Sequence, residues 1–452
     1  MSSVATESQN DYIIESAIIG TNRIEGVETS FDICRLITDF EVYEHLDKPY
    51  LTANVLFHDK YGIVQRLDIQ GGESFIITIK STQKAENLTS IKKTFSVEKI
   101  SHSIKSGDHD DVVSLALVED IAFKSSVKNI SKSFTGTSDK IIEQIFGTYL
   151  QKDVLSSEST FQSRMKIIVP NMHPLEACMW IKNRSTNGDG LPFYLFSVFG
   201  DNSIRFYDLG TLLRADVMNR RIPYVYWQAA SQSSTMGKFT VVQSYDVRNH
   251  DHLLHLIRKG VVGSRNMFYD TFNGTFNDVN FNVGTDAFGM LASNDYLKED
   301  QRRVNFGPDF KVDDQRVAEW NSTVVSKIAS SNIYKNIGDY KTLEEETSNG
   351  AYTKRIIGRS LKHFMTKNPI TIQVSGRDYI MGEGTRTHYT IGNKIRFLCL
   401  DPLTDTGQAP KFDKKKSGDY IIYAAKHKFS AERYDIQLLC TKLASYVEDP
   451  EL

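Results

Sequence analysis

Apolar and polar residues alternate through most of the first quarter of the chain. Thr52-Ala53-Asn54-Val55-Leu56-Phe57-His58 and Ser74-Phe75-Ile76-Ile77-Thr78-Ile79-Lys80 are β-branched or aromatic runs bounded by turn residues, which predicts a strand for each. Gly71-Gly72 opens the second run. Ser106-Gly107-Asp108-His109-Asp110-Asp111 reads as a hairpin tip between strands at 94–104 and 112–118. Residues 32–39, with Ile33, Cys34, Leu36 and Ile37, fit either a strand or a short helix.

The period then changes from two to that of a helix. Ser138 can cap a helix carrying Ile141, Ile142, Ile145, Phe146 and Tyr149. Pro174 suits a first helical position, followed by Leu175, Cys178, Met179 and Ile181 at helical spacing. Residues 193–199 and 203–207 predict a hairpin turning at Gly200-Asp201-Asn202, so 125–235 reads as an α+β module. Residues 237–270 return to a β-like or mixed pattern. The stretch from 271 to about 350 is rich in Asn, Asp, Ser and Gly with weak periodicity, and predicts an irregular insertion. An amphipathic helix follows, with Ile356, Ile357, Leu361, Phe364 and Met365 on one stripe, ending before Asn368-Pro369. Strands resume from there to about residue 446.

The last strands echo the first. Gly72-Glu73-Ser74-Phe75-Ile76-Ile77-Thr78-Ile79 has the layout of Gly392-Asn393-Lys394-Ile395-Arg396-Phe397-Leu398-Cys399, a glycine followed by apolar residues at alternate positions. The stretch from Phe95 to His102 parallels Tyr420 to His427, each opening on an aromatic and reaching a histidine seven residues later. Glycine and histidine are 30 residues apart in the first copy and 35 in the second, where the loop 401–417 is longer. The pattern predicts two copies of one β-barrel-like unit, separated by the α+β module.

Composition narrows the function. A chain of 452 residues is long enough for roughly three domains, and 40% hydrophobic with 24% charged residues supports buried cores. The net charge of −2 argues against a surface that grips nucleic acid or anionic membrane throughout. Aromatics at 11% favour β-structure. Cys34, Cys178, Cys399 and Cys440 are too scattered for a zinc ribbon or a redox pair, and each reads as a small buried hydrophobe. The polar N-terminus does not resemble a signal peptide, and no apolar run is long enough to span a bilayer.

Candidate chemistry thins out on inspection. His250-x-His252-x-x-His255 does not place three imidazoles on one helical face and reads as a helix start. Asp108-His109-Asp110-Asp111 lacks the glycine and distal glutamate of an EF-hand loop. Met381-Gly382-Glu383-Gly384-Thr385 has no lysine in P-loop position, and Asn187-Gly188-Asp189-Gly190 is a turn without a nucleophile. Lys411, Lys414, Lys415 and Lys416 make a basic loop suited to solvent or to an acidic partner. No catalytic, cofactor-binding or metal residues are assigned, no cofactor is expected, and the chain is not expected to be an enzyme.

Four phrases in order resemble the baseplate hub subunit of T-even-type contractile-tailed phages, whose wider relatives are VgrG spikes and late-control D proteins. They are Phe40-Glu41-Val42-Tyr43-Glu44 with Lys48-Pro49-Tyr50-Leu51 and Val55-Leu56-Phe57-His58-Asp59, then Gly71-Gly72-Glu73. Ile168-Val169-Pro170 before Pro174-Leu175-Glu176-Ala177, and Ser417-Gly418-Asp419-Tyr420-Ile421-Ile422 with His427, Phe429 and Tyr434, complete the set. The resemblance implies an α+β, β-rich chain with two tube-like β-barrel domains related by internal duplication. It places the first at 1–124, the α+β module at 125–235, the second at 236–270 plus 369–452, and the insertion at 271–368. It further implies a homotrimeric, pseudo-sixfold ring in a virion tail baseplate, assembled in the host cytoplasm. Its partners would be a trimeric central spike, a hexameric tail tube and neighbouring baseplate proteins, with DNA passing through unbound and no membrane insertion. The chain's end soon after the second unit suggests a separate spike polypeptide. Alternatives are a virion-associated polysaccharide or cell-wall hydrolase, and another baseplate or secretion-spike structural subunit.

Overall fold

The structure, a computed structural model, describes residues 11–447 except 22–29, 83–89, 108–109, 158–164, 221, 227–239, 249–251, 271–273, 302, 305–309, 330–348, 377–378, 380–389 and 402–410. Alternation of the kind read above becomes strands β1 (Tyr12–Gly20), β2 (Ile37–His45), β3 (Thr52–Asp59), β4 (Ser74–Ser81), β5 (Ile91–Lys105) and β6 (Asp111–Glu119). In the second half the strands are β7 (Ser244–Val247), β8 (Ile370–Ser375), β9 (Lys394–Cys399), β10 (Gly418–Ser430) and β11 (Arg433–Thr441). The ambiguous 32–39 stretch divides between a 3₁₀ turn at Cys34–Leu36 and the start of β2.

Each half is an antiparallel run with the same internal order. The first pairs as β4-β5-β6-β3-β2 and the second as β9-β10-β11-β8-β7. The register agrees as well: Phe75 faces Phe95, and Ile395 faces Tyr420. Gly72 N–H donates to Val97 and Val97 N–H to Glu73; in the second half Gly392 donates to Ile422 and Ile422 to Asn393. Both glycines hold positive φ, 91° and 79°, where a side chain would be strained. A bulge follows at the same place, between Val97 and Lys99 in one half and between Ile422 and Ala424 in the other. The likeness ends at the outer strand, since β1 lies antiparallel to β4 whereas Tyr224–Tyr226 lies parallel to β9.

The two halves meet in one sheet, where Ala424–Ser430 of β10 pair antiparallel with Asp39–His45 of β2. Among the described residues the strand path stays open rather than closing into a barrel. One apolar core runs beneath both halves. At its centre Phe40 lies 6.2 Å from Phe75, 6.3 Å from Phe95 and 6.0 Å from Phe429 between ring centroids. Phe429 in turn stacks on Tyr434 at 4.3 Å. Gly376 is packed so closely on that tyrosine that an added Cβ would stand 2.3 Å from its ring, which only glycine permits.

The α+β module has a core of its own. It holds α1 (Ser138–Ile145), α2 (Pro174–Arg184) and a hairpin of Phe193–Ser197 with Ile204–Asp208. Pro174 is the first helical residue, as its missing N–H favours. At α1 the cap position falls to Thr137, and Ser138 is the buried first helical residue. The stretch expected to be irregular is partly regular. Gly263–Asp270, Thr275–Asn282 and Val324–Ala329 form a three-stranded sheet that crosses the expected boundary at 270. Its many Asn and Asp side chains mask the alternation of Phe268, Val279 and Phe281, which are buried. α3 (Asn349–Met365) inserts Ile357, Leu361, Phe364 and Met365 into the main core.

Candidate assembly interface

The seam between β2 and β10 is the place where the two halves, the module and the main core come together. β2 points Phe40, Val42 and Glu44 inward at alternate positions, and β10 points Ala425, His427 and Phe429. An acid and an imidazole therefore sit in an otherwise apolar series. Glu44 and His427 are 2% and 1% exposed. Glu44 Oε2 lies 3.0 Å from His427 Nε2, and His427 Nδ1 lies 2.8 Å from the Tyr434 hydroxyl. The other Glu44 oxygen accepts the backbone N–H of Phe199 from the module. With Glu44 ionised, Nε2–H donates to it and Nδ1 accepts from Tyr434, so all three groups are satisfied. Burial raises the Tyr434 phenol well above its usual range, which keeps it a donor.

Buried lysines fasten the module and loops to the sheet. Lys93 on β5 donates to the carbonyls of Val198, at 2.7 Å, and Asp201. Lys182 on α2 donates to Asp47 in the turn after β2. Lys394 on β9 donates to the Leu213 carbonyl. Lys442 donates to Lys415 and Ser417 carbonyls at 2.8 and 2.6 Å, fixing the basic loop from beneath.

These lysines predict a pH effect. Burial pushes Lys442 down to about 7 and Lys394 and Lys362 to about 8. An unfolded lysine holds its proton to about pH 10.4, so above about pH 7 the unfolded chain binds more protons and stability rises with pH. Urea midpoints should therefore climb from about pH 7 to about pH 8.5, before unfolded thiols ionise, and Lys442→Met should flatten part of the rise. A level profile in the parent chain would refute this.

Among the strand edges that carry no partner strand in the described residues, two lie on β5 and β7. β5 pairs with β4 only as far as Ser96, which leaves the outer edge of Lys99–Lys105 open. β7 pairs only with β8. Exposed apolar side chains mark both edges: Ile104 is 64% exposed and Val247 44%. Beside β7, the polar faces of β2, β10 and β11 line an open groove of about 780 Å³ that includes Tyr43, Tyr245, Arg248, Lys426 and Gln437.

The candidates from the sequence fall elsewhere. His252 caps the helix Leu253–Arg258 by accepting from His255 N–H, as a helix start should; His250 lies outside the described residues. Asp110 at the hairpin tip pairs with His58 at 3.0 Å, while Asp108 and His109 lie outside the description, as do residues 381–385. The Asn187 side chain accepts from Asp189 and Leu191, closing the expected turn. Cys178, Cys399 and Cys440 are buried, and Cys34 is half-buried. The two histidines of the repeat part company. A second bulge between Ile100 and His102 moves His102 one place along β5, and it is exposed where His427 is buried. Among the described residues no helix is long and apolar enough to cross a membrane.

Solved structures supply the comparison. Over 96% of this chain and 97% of the other, the fold matches the tail protein from Neisseria meningitidis MC58, with a TM-score of 0.52 at 11% identity. This chain shares the fold of that tail protein. Weaker matches are the 43 kDa tail protein of prophage MuSo2 from Shewanella oneidensis, with a TM-score of 0.48 at 10% identity over 94% of this chain and 98% of that one, and a Francisella PdpA-VgrG complex. For the latter the TM-score is 0.45 at 9% identity, over 99% of this chain and 55% of that one. No protein-family model and no curated protein sequence matches the chain.

Proposed function

We propose that this chain is a structural hub of a phage-type tail baseplate, in which three copies form a pseudo-sixfold ring between the tail tube and a central spike. The observation that carries the reading is the doubled strand order within one chain, β4-β5-β6-β3-β2 and β9-β10-β11-β8-β7, joined edge to edge. Two like units per chain turn a threefold ring into six nearly equivalent positions, matching a hexameric tube on one face and a trimeric spike on the other. The units would be one tube-like domain in 1–124 and another built from the strand at 244–247 with 369–452, separated by the module. The polar faces beside β7 would line a passage for DNA without binding it, in keeping with a net charge of −2. The insertion would face neighbouring baseplate proteins. The role is one of assembly in a virion, and no enzymatic step is assigned.

Light scattering on the purified chain tests this. A mass three times that of the chain is the expected result, with a further increase on adding a trimeric spike protein. A monomer at the highest soluble concentration, or a stable hexamer, would overturn it.

A further inference from the structure

We propose that β7 of one copy pairs with the open edge of β5 in the next copy, in the register that β2 uses against β10. This rests on the ring reading above and names the surfaces that would make it.

The correspondence follows from pairing alone. Leu117 of β6 faces Ala53 of β3, and Cys440 of β11 faces Ile370 of β8; both lie across from the residue just before the shared bulge, Val97 or Ile422. Ala53 faces Val42, and Ile370 faces Val247. So Val247 stands where Val42 stands in the first half, Asp246 where Glu41 stands, and Tyr245 where Phe40 stands. The side chains agree in kind as well as place: aromatic, acid, valine in both. By the same route, allowing for the second bulge, Ser103 occupies the place of His427 and His102 that of Lys426.

Within the chain, the place of Val42 is paired and buried because β10 covers it; at Val247 the matching edge is bare. The bare edges complement each other. β7 offers the strand that β2 is, and Lys99–Lys105 offers the edge that Ala424–Ser430 is. Joining them would place Val247 opposite Ser103, Asp246 opposite Ile104 and Tyr245 opposite Lys105. It would bring Val247 to the place where Val42 is buried in the internal seam. It would also set Asp246 diagonal to His102, as Glu41 is to Lys426, a pair 2.9 Å apart across the internal seam. Donor edge and acceptor edge lie on different strands, so the contact is head-to-tail, and a rotation of a third of a turn per copy would close it into a ring. Each chain would then contribute one internal and one external seam of the same kind. An unpaired edge exposes backbone donors and acceptors that such a partner satisfies.

Thiol cross-linking locates the seam. Opposed residues in an antiparallel pair bring their Cβ atoms to about 5 Å, within reach of a short bifunctional maleimide. In a Cys34→Ser background, Ser103→Cys with Val247→Cys should yield covalent species of twice and three times the chain mass on a denaturing gel, and either substitution alone should not. Ile104→Cys with Asp246→Cys is a second pair, all four sites being exposed. A trimer by light scattering in which neither pair cross-links would overturn the seam and leave the ring reading standing. Absence of any trimer would overturn both.

Discussion

Replacing His427 with alanine should lower the unfolding free energy by about 3 kcal/mol, because it strips a buried carboxylate of its main partner. Glu44 would keep only the Phe199 N–H, and the buried Tyr434 hydroxyl would lose its acceptor. The seam between the halves and the contact to the module would loosen together, since one imidazole serves both. Replacing both partners, Glu44→Leu with His427→Leu, should cost less than the sum of the single changes, because no uncompensated charge remains. Calorimetry on the four members of this cycle gives the coupling directly. Additive effects would show that the network contributes no more than its separate parts.

Phe40→Ala should cost about 4 kcal/mol, in the middle of the range for a fully buried aromatic. The ring touches Phe75 and Phe95 of its own half and Phe429 of the other, so the cavity opens across the seam rather than within one unit. At the corresponding place in the second half, Tyr245 is half-buried and meets Tyr226 and Phe397 at 4.5 and 6.0 Å. Tyr245→Ala should therefore cost the isolated chain only about 1–2 kcal/mol. Urea titration of the two variants, at protein concentrations low enough to hold the chain as a monomer, compares one position with a strand over it and one without. Equal losses would contradict the placement of Phe40 at a covered seam.

Much of the fold is legible in the residues because its signals are local. Period-two alternation reports which side of a strand meets the core, and glycines such as Gly72 and Gly392 report backbone angles that other residues resist. The hairpin tip at 106–111, the Pro174 helix start and the stripe on α3 belong to the same class. Candidate chemistry was legible chiefly by its misfit: His252 caps a helix and Asn187 closes a turn, each through contacts within four residues. The site that matters was missed, although its signal was present. Glu44 continues the inward series of Phe40 and Val42, and His427 interrupts that of Ala425 and Phe429. A charged residue in a buried series demands a partner, but the sequence does not say which.

What the sequence by itself determined is therefore the strands, their inward faces, the turns and the echo between the two halves. These depend on neighbours a few residues apart. Only the tertiary structure decided that β10 abandons β9 after Ile421 and takes β2 as its partner, that a second bulge separates His102 from His427, and that Asn-rich strands in the insertion form a sheet. Strand partners hundreds of residues apart are selected by register, edge availability and the fit of side chains across the gap. Period-two alternation is the same for every strand that buries one face, so it cannot name the neighbour.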